Sequence, residues 1–208
     1  MPAHPLPPDH AADLPNSTSA WNIANALTAL RVAAVPFLGY LLLQDTQSAR
    51  NWATLVFLLA SLTDFLDGFV ARKYGLITTL GKIADPIADK FLTGIALMGL
   101  SHLGALPWWV TIVIIAREIG VTLLRFWVIE HGVISASRGG KTKTLTQIIA
   151  ISMYLVEWPT SVPESFVTLW DVSKISVMAI AVILTLGTAI AYVRKATQLR
   201  KEIEVVRR

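Results

Sequence analysis

The stretch DFLDGFVARKYGLITTLGKIADPIADK, residues Asp64–Lys90, holds four aspartates, three glycines and an Arg-Lys pair inside an otherwise strongly apolar chain. Carboxylates are most costly in apolar surroundings, so their grouping needs a reason. On a helix each residue turns about 100°. Asp64 and Asp67 are three apart and share a face. Asp64, Gly68, Ala71 and Gly75 fall within about 40° of one stripe. The carboxylate at its head therefore has nothing bulky below it, and small residues let a backbone or a ligand approach closely. Arg72 follows about a turn below Gly68. Asp85 precedes Pro86, which suits the first turn of a helix, and Asp89 comes four residues after Asp85.

Around this stretch the chain reads as a membrane protein. It has 208 residues, 54% hydrophobic and 15% charged, where a soluble domain carries about 25% charged residues. That deficit and the long apolar runs point to the bilayer. The net charge of +4 suits anionic lipid, and no nucleic-acid partner is expected. With no cysteine, disulfides and thiolate metal sites are excluded. The four histidines, His4, His10, His102 and His131, form no ligand-spaced pair. Residues 1–19 are Pro-rich, with neither the basic start nor the apolar core of a signal peptide, and read as a disordered tail. No globular domain is expected beside the membrane part.

A span needs about 20 mostly apolar residues. Six candidates occur, at roughly 22–44, 51–73, 84–103, 107–130, 143–160 and 173–194. The short connections near 45–50 and 104–106 predict antiparallel hairpins. Trp21, Trp52, Trp108, Trp109, Trp158 and Trp170 fall at span ends, where an aromatic belt belongs. Of the 18 Lys and Arg, twelve flank one side, from Arg72, Lys73 and Lys82 through Arg138, Lys141 and Lys143 to the basic C-terminus; two, Arg50 and Lys174, flank the other. This asymmetry predicts both termini, and the loops 73–83 and 131–142, in the cytoplasm. The expected organisation is a tail at 1–19, a six-span domain at 20–195 and a basic cytoplasmic tail at 196–208, the last a helical extension on the lipid surface.

All four aspartates then meet at the cytoplasmic end of one helical hairpin, where four anions would repel one another. Divalent cations remove that problem, and hard oxygen donors without Cys or His suit Mg²⁺ or Mn²⁺. Two such ions about 3.5–4 Å apart serve phosphoryl displacement. Taken singly, each residue has a plainer reading. Asp85 could be an N-cap, Gly68 and Ala71 packing residues, Arg72 and Lys73 topology charges. The joint spacing is Asp64-x2-Asp67-Gly68-x2-Ala71-Arg72-x8-Gly81-x3-Asp85-x3-Asp89, eight fixed residues over 26 positions. It resembles the signature of the CDP-alcohol phosphatidyltransferases, and the resemblance extends over about 20–195.

The resemblance implies an all-α integral membrane enzyme with six transmembrane helices in the CDP-alcohol phosphotransferase fold. It implies metal ligands at Asp64, Asp67, Asp85 and Asp89, with Asp89 also the catalytic base. It implies a CDP-lipid site formed by Asp67, Gly68, Ala71, Arg72, Gly81 and Asn25, and a homodimer. NIANALTALR (Asn22–Arg31), IIAREIGVTLLRFW (Ile114–Trp127) and GGKTKTLTQIIAI (Gly139–Ile151) resemble the bacterial branch that joins glycerol 3-phosphate to the phosphatidyl group of CDP-diacylglycerol. Branches making cardiolipin or phosphatidylinositol phosphate share parts of these segments. Ala24 departs from the first of them, where a proline is common. Arg31, Arg117 and Arg125 lie inside spans, where an unpaired cation is costly; Arg31, Arg117 and Lys141 are the expected holders of the acceptor phosphate. Arg117 could instead pair with Glu118, Arg125 could snorkel, and Lys141 and Lys143 could be topology charges. A rival of another class is a small transporter with a carboxylate-lined path, which needs no Gly68, Ala71 and Gly81 in this register.

Overall fold

The computed structural model describes the main chain of residues 23–44, 46–74, 79–128 and 138–206, and the side chains of 27–44, 46–63, 87–124 and 140–198. The described residues form six helices: α1 Ile23–Leu43, α2 Gln47–Tyr74, α3 Thr79–His102, α4 Trp108–Val128, α5 Arg138–Leu155 and α6 Glu164–Val206. Each expected span has its helix, but the boundaries of α3, α5 and α6 differ, α5 running Arg138–Leu155 where 143–160 was expected, so that 138–142 of the expected loop are helical. α3 begins at Thr79 and passes through Pro86 in its eighth position, so Pro86 is not in the first turn. A proline inside a helix removes one backbone hydrogen bond, and the remaining ladder carries the helix across. α1 likewise runs through Pro36. α6 starts at Glu164, directly after Pro163, and its 43 residues continue into the basic C-terminal segment. At 1.5 Å per residue it is about 65 Å long, twice a hydrocarbon core of about 30 Å.

α1 lies against both α2 and α3, while α6 packs on α5 and α4. The core between them is aliphatic, with Leu38, Leu42, Ala53, Phe57, Leu97, Leu100, Ile114, Ile151 and Leu155 all buried. α1 and α3 meet closely at Gly99: a Cβ placed there would stand 2.5 Å from Leu42 Cδ1 and 3.1 Å from Leu42 Cβ. Two residues past the end of α3 stands Gly104, whose φ of +70° is the left-handed conformation that favours glycine. The Ala105 N–H then donates to the Leu100 carbonyl (3.0 Å) and the Gly104 N–H to that of Ser101 (3.1 Å), satisfying two end carbonyls. The Ser101 and Thr111 hydroxyls, 2.7 Å apart and buried, join the end of α3 to the start of α4.

The start of α2 meets the end of α5. Arg50 Nη2 donates to the Tyr154 carbonyl (2.8 Å), and its Nη1 lies 3.3 Å from a Glu157 carboxylate oxygen. Trp158, Phe166 and Trp170 cluster beside them, edge-to-face and stacked, and Trp170 Nε1 donates to the Met153 carbonyl (3.2 Å). The two cations Arg50 and Lys174 thus sit with Glu157 and Asp171 at this aromatic end. Outward surfaces are apolar along much of the bundle, from Phe37 and Leu59 to Ile112, Leu123, Ile183 and Ile190. Among the described residues one helix, Glu164–Gln198, is long and apolar enough to cross a membrane by length and composition, and Leu27–Leu43 is a shorter apolar helix. In the most apolar stretch of α6 only 28% of residues are buried within the protein. The rest of that surface requires a cover that is not the chain's own core.

Candidate active site

A polar cleft opens at the end of the bundle opposite the tryptophans. It is lined by Asp89, Lys90 and Thr93 of α3, Glu118 of α4, and Lys143, Thr144, Gln147 and Ile148 of α5. Helical spacing explains the set. Asp89 and Thr93, Lys143 and Gln147, and Thr144 and Ile148 are each four residues apart, so each pair shares a face. Glu118 organises the cations. Its carboxylate accepts from Lys143 Nζ and from Arg117 Nη1 (3.1 Å). Arg117 in turn reaches α6, where Nε donates to the Thr185 carbonyl (3.1 Å) and Nη2 to the Thr188 hydroxyl (2.6 Å). Lys90 donates to the Thr122 hydroxyl, which donates to the Glu118 carbonyl (2.7 Å). Four helices are thereby tied together through charge-assisted hydrogen bonds, which are stronger than neutral ones.

Asp89 lies within the electrostatic reach of Arg31, Lys90, Lys143 and Glu118. Arg31 is fully buried, and its Nε points at the Ala60 carbonyl of α2 (3.4 Å), one turn before Asp64. The lining itself sets Lys90 and Lys143 against Asp89 and Glu118, while Arg31 acts on Asp89 and Arg117 on Glu118 from beside the cleft.

The structure sets Arg31 within electrostatic reach of Asp89. It places Asp64, Asp67, Gly68, Ala71 and Arg72 on α2, Gly81 and Asp85 on α3, Asn25 on α1 and Arg125 on α4, all with side chains outside the described residues. Among the described residues no cluster of three metal-binding side chains occurs. Lys141 is exposed and does not line the cleft; Lys143, 5% exposed, does. Two residues apart on a helix, they point about 200° apart. Arg117 spends its donors on Glu118 and α6, the pairing that its neighbour in sequence left open. Glu118 is expected from the sequence only as a partner of Arg117, and Gln147, Lys90 and Thr122 enter the site through the packing. An acid inside an apolar span was the available signal for Glu118, and the four-residue step from Lys143 was the signal for Gln147.

Residues 21–194 match the family of CDP-alcohol phosphatidyltransferases. The chain belongs to that family. Its matched region runs from before α1 into the last third of α6, so it contains both the signature on α2 and α3 and the cleft at Asp89. The chain is 47% identical over 178 residues to a "Probable phosphatidylglycerophosphate synthase" of Mycobacterium tuberculosis, covering 84% of this chain and 81% of that one. It is 38% identical over 149 residues to a "CDP-diacylglycerol--glycerol-3-phosphate 3-phosphatidyltransferase" of Bacillus subtilis, covering 65% and 77%. A protein of the same name from Rickettsia typhi is 35% identical over 175 residues, covering 82% and 94%.

Proposed function

We propose that this protein transfers the phosphatidyl group of CDP-diacylglycerol to sn-glycerol 3-phosphate, giving phosphatidylglycerophosphate and CMP. The observation that carries the reading is the charged cleft that opens beside Asp89, the last residue of the family signature, with Lys90 and Lys143 in its lining and Arg31 acting on Asp89. The names of the relatives agree with it.

The residues present fit a pair of hard divalent ions. Asp64 and Asp67 are three apart on one helix, Asp85 and Asp89 four apart on the next, and α2 contacts α3. Each pair shares a helix face, and all the donors are carboxylate oxygens. Two Mg²⁺ or Mn²⁺ ions held by these four aspartates would neutralise the donor pyrophosphate and stabilise the departing CMP. Asp67, Gly68, Ala71, Arg72, Gly81 and Asn25 form the nucleotide side of the site, the small residues leaving room for cytidine and ribose. Asp89 takes the proton of the acceptor hydroxyl, whose oxygen attacks the lipid-bearing phosphorus in line as CMP leaves. Arg31 and Lys143 attract the acceptor phosphate, with Lys141 presenting a further charge from the start of α5 and Arg117 holding Glu118 in position. Cations around a phosphate act through charge-assisted bonds.

The six helices span the cell (inner) membrane, with the active site and both termini facing the cytoplasm, and two copies form a homodimer. The outward apolar side chains support immersion in lipid. The acyl chains of the donor stay in the bilayer and enter between helices. The reading is tested with purified protein, CDP-diacylglycerol, Mg²⁺ or Mn²⁺ and a panel of alcohols. CMP is expected with glycerol 3-phosphate. CMP released only with phosphatidylglycerol or inositol phosphate would reassign the acceptor, and metabolite transport without CMP release would remove the enzyme reading.

A further inference from the structure

Among the polar groups of the cleft that the reaction above does not use, one is buried without a partner. Gln147 is 4% exposed and lines the cleft, yet its carboxamide oxygen is buried without a hydrogen-bond partner among the described residues. Three other polar groups of the lining are engaged. Thr144 donates to the Gly140 carbonyl (3.1 Å), Lys90 to Thr122, and Lys143 to Glu118. Buried polar groups are as a rule satisfied, and leaving one dry is unfavourable. A partner from outside the chain would complete this one.

Its place on α5 narrows the chemistry. Gln147 lies one turn, about 5.4 Å, beyond Lys143 on the same face. Asp89 and Thr93 line the same cleft from α3. A small phosphorylated polyol with its phosphate at Lys143 and one hydroxyl at Asp89 has a remaining hydroxyl to offer to a further polar group of this lining. We propose that Gln147 is a specificity-determining residue that hydrogen-bonds the non-reacting hydroxyl of the acceptor, the 2-hydroxyl of glycerol 3-phosphate. This rests on the phosphatidyl-transfer reading. An acceptor without that hydroxyl leaves the buried carboxamide unpaired, which is how a polar site rejects an analogue lacking a partner group.

The test uses the full chain in detergent micelles with CDP-diacylglycerol and Mn²⁺, and CMP release as readout. The kcat/KM for glycerol 3-phosphate is compared with that for propane-1,3-diol phosphate, which lacks the 2-hydroxyl. The wild type is expected to prefer glycerol 3-phosphate by about tenfold or more. Gln147→Met and Gln147→Leu should each shrink that preference below about threefold, a change in ratio that a purely structural role would not produce. A wild type without preference, or variants that keep the wild-type ratio because both acceptors suffer alike, would overturn the assignment. Failure of the parent reading looks different: the wild type then releases CMP with neither acceptor.

Discussion

Lys141 and Lys143 carry the same charge two positions apart, and the fold treats them oppositely. Lys143 is buried against Glu118 in the cleft, while Lys141 is exposed. A hydrogen bond to a charged group contributes about 1.5–3 kcal/mol, whereas an exposed charge is screened by water and salt. We therefore expect Lys143→Met to raise the KM for glycerol 3-phosphate about ten- to a hundredfold, with the KM for CDP-diacylglycerol much less affected. Lys141→Met should change the acceptor KM by less than about threefold. Steady-state kinetics with each substrate varied in turn checks this, and equal effects of the two substitutions would contradict the cleft assignment.

At the scale of the helices, the α1–α3 contact is controlled by a residue without a side chain. A methyl group at Gly99 would force the buried Leu42 side chain to shift, while a Cβ at Gly94 on the same helix would meet nothing within 4 Å. Alanine improves helix propensity over glycine by about 1 kcal/mol, and forcing a methyl into a packed contact costs about 1–3 kcal/mol. Gly99→Ala is thus expected to lower the thermal midpoint in detergent, and Gly94→Ala to leave it unchanged or raise it. Both variants moving in the same direction would mean that α1 and α3 do not meet as described. The lengths of α3 and α6 belong to this scale too. Pro86 removes one hydrogen bond from α3 without ending it, and nothing in the segment after Arg194 breaks α6 before Val206.

For the molecule as a whole, the distribution of charge and aromatics distinguishes two ends. One end holds the tryptophan cluster with Arg50 and Lys174 paired to acids; the other holds the cleft and the basic extension of α6. In the proposed orientation, the end rich in Lys and Arg is the one that faces the cytoplasm. The chain contains no cysteine, so single cysteines report cleanly. Ser48 and Gln198 are both exposed, and each lies near one end, whereas Ala49 beside Ser48 is buried and unsuited to labelling. In intact cells an impermeant thiol reagent is expected to label Ser48→Cys and not Gln198→Cys. The reverse pattern would invert the protein and move its active site to the opposite face.

Much of this protein was legible along the chain because its information is local. The length of each apolar run determined six helices, and the spacing of Asp64, Asp67, Gly68, Ala71, Arg72, Gly81, Asp85 and Asp89 determined the family. Which side of each helix meets which neighbour is not local. Arg117 could have faced a substrate or α6, and only the packing of α4 on α6 set its guanidinium on Thr185 and Thr188. Lys141 and Lys143 were equivalent as charges, and the rotation of α5 against α4 chose between them. Gln147 looked like any polar residue on an amphipathic turn. It became significant only when three helices closed around it and left its carboxamide buried, because satisfaction of a polar group depends on everything that surrounds it, not on its neighbours in the chain.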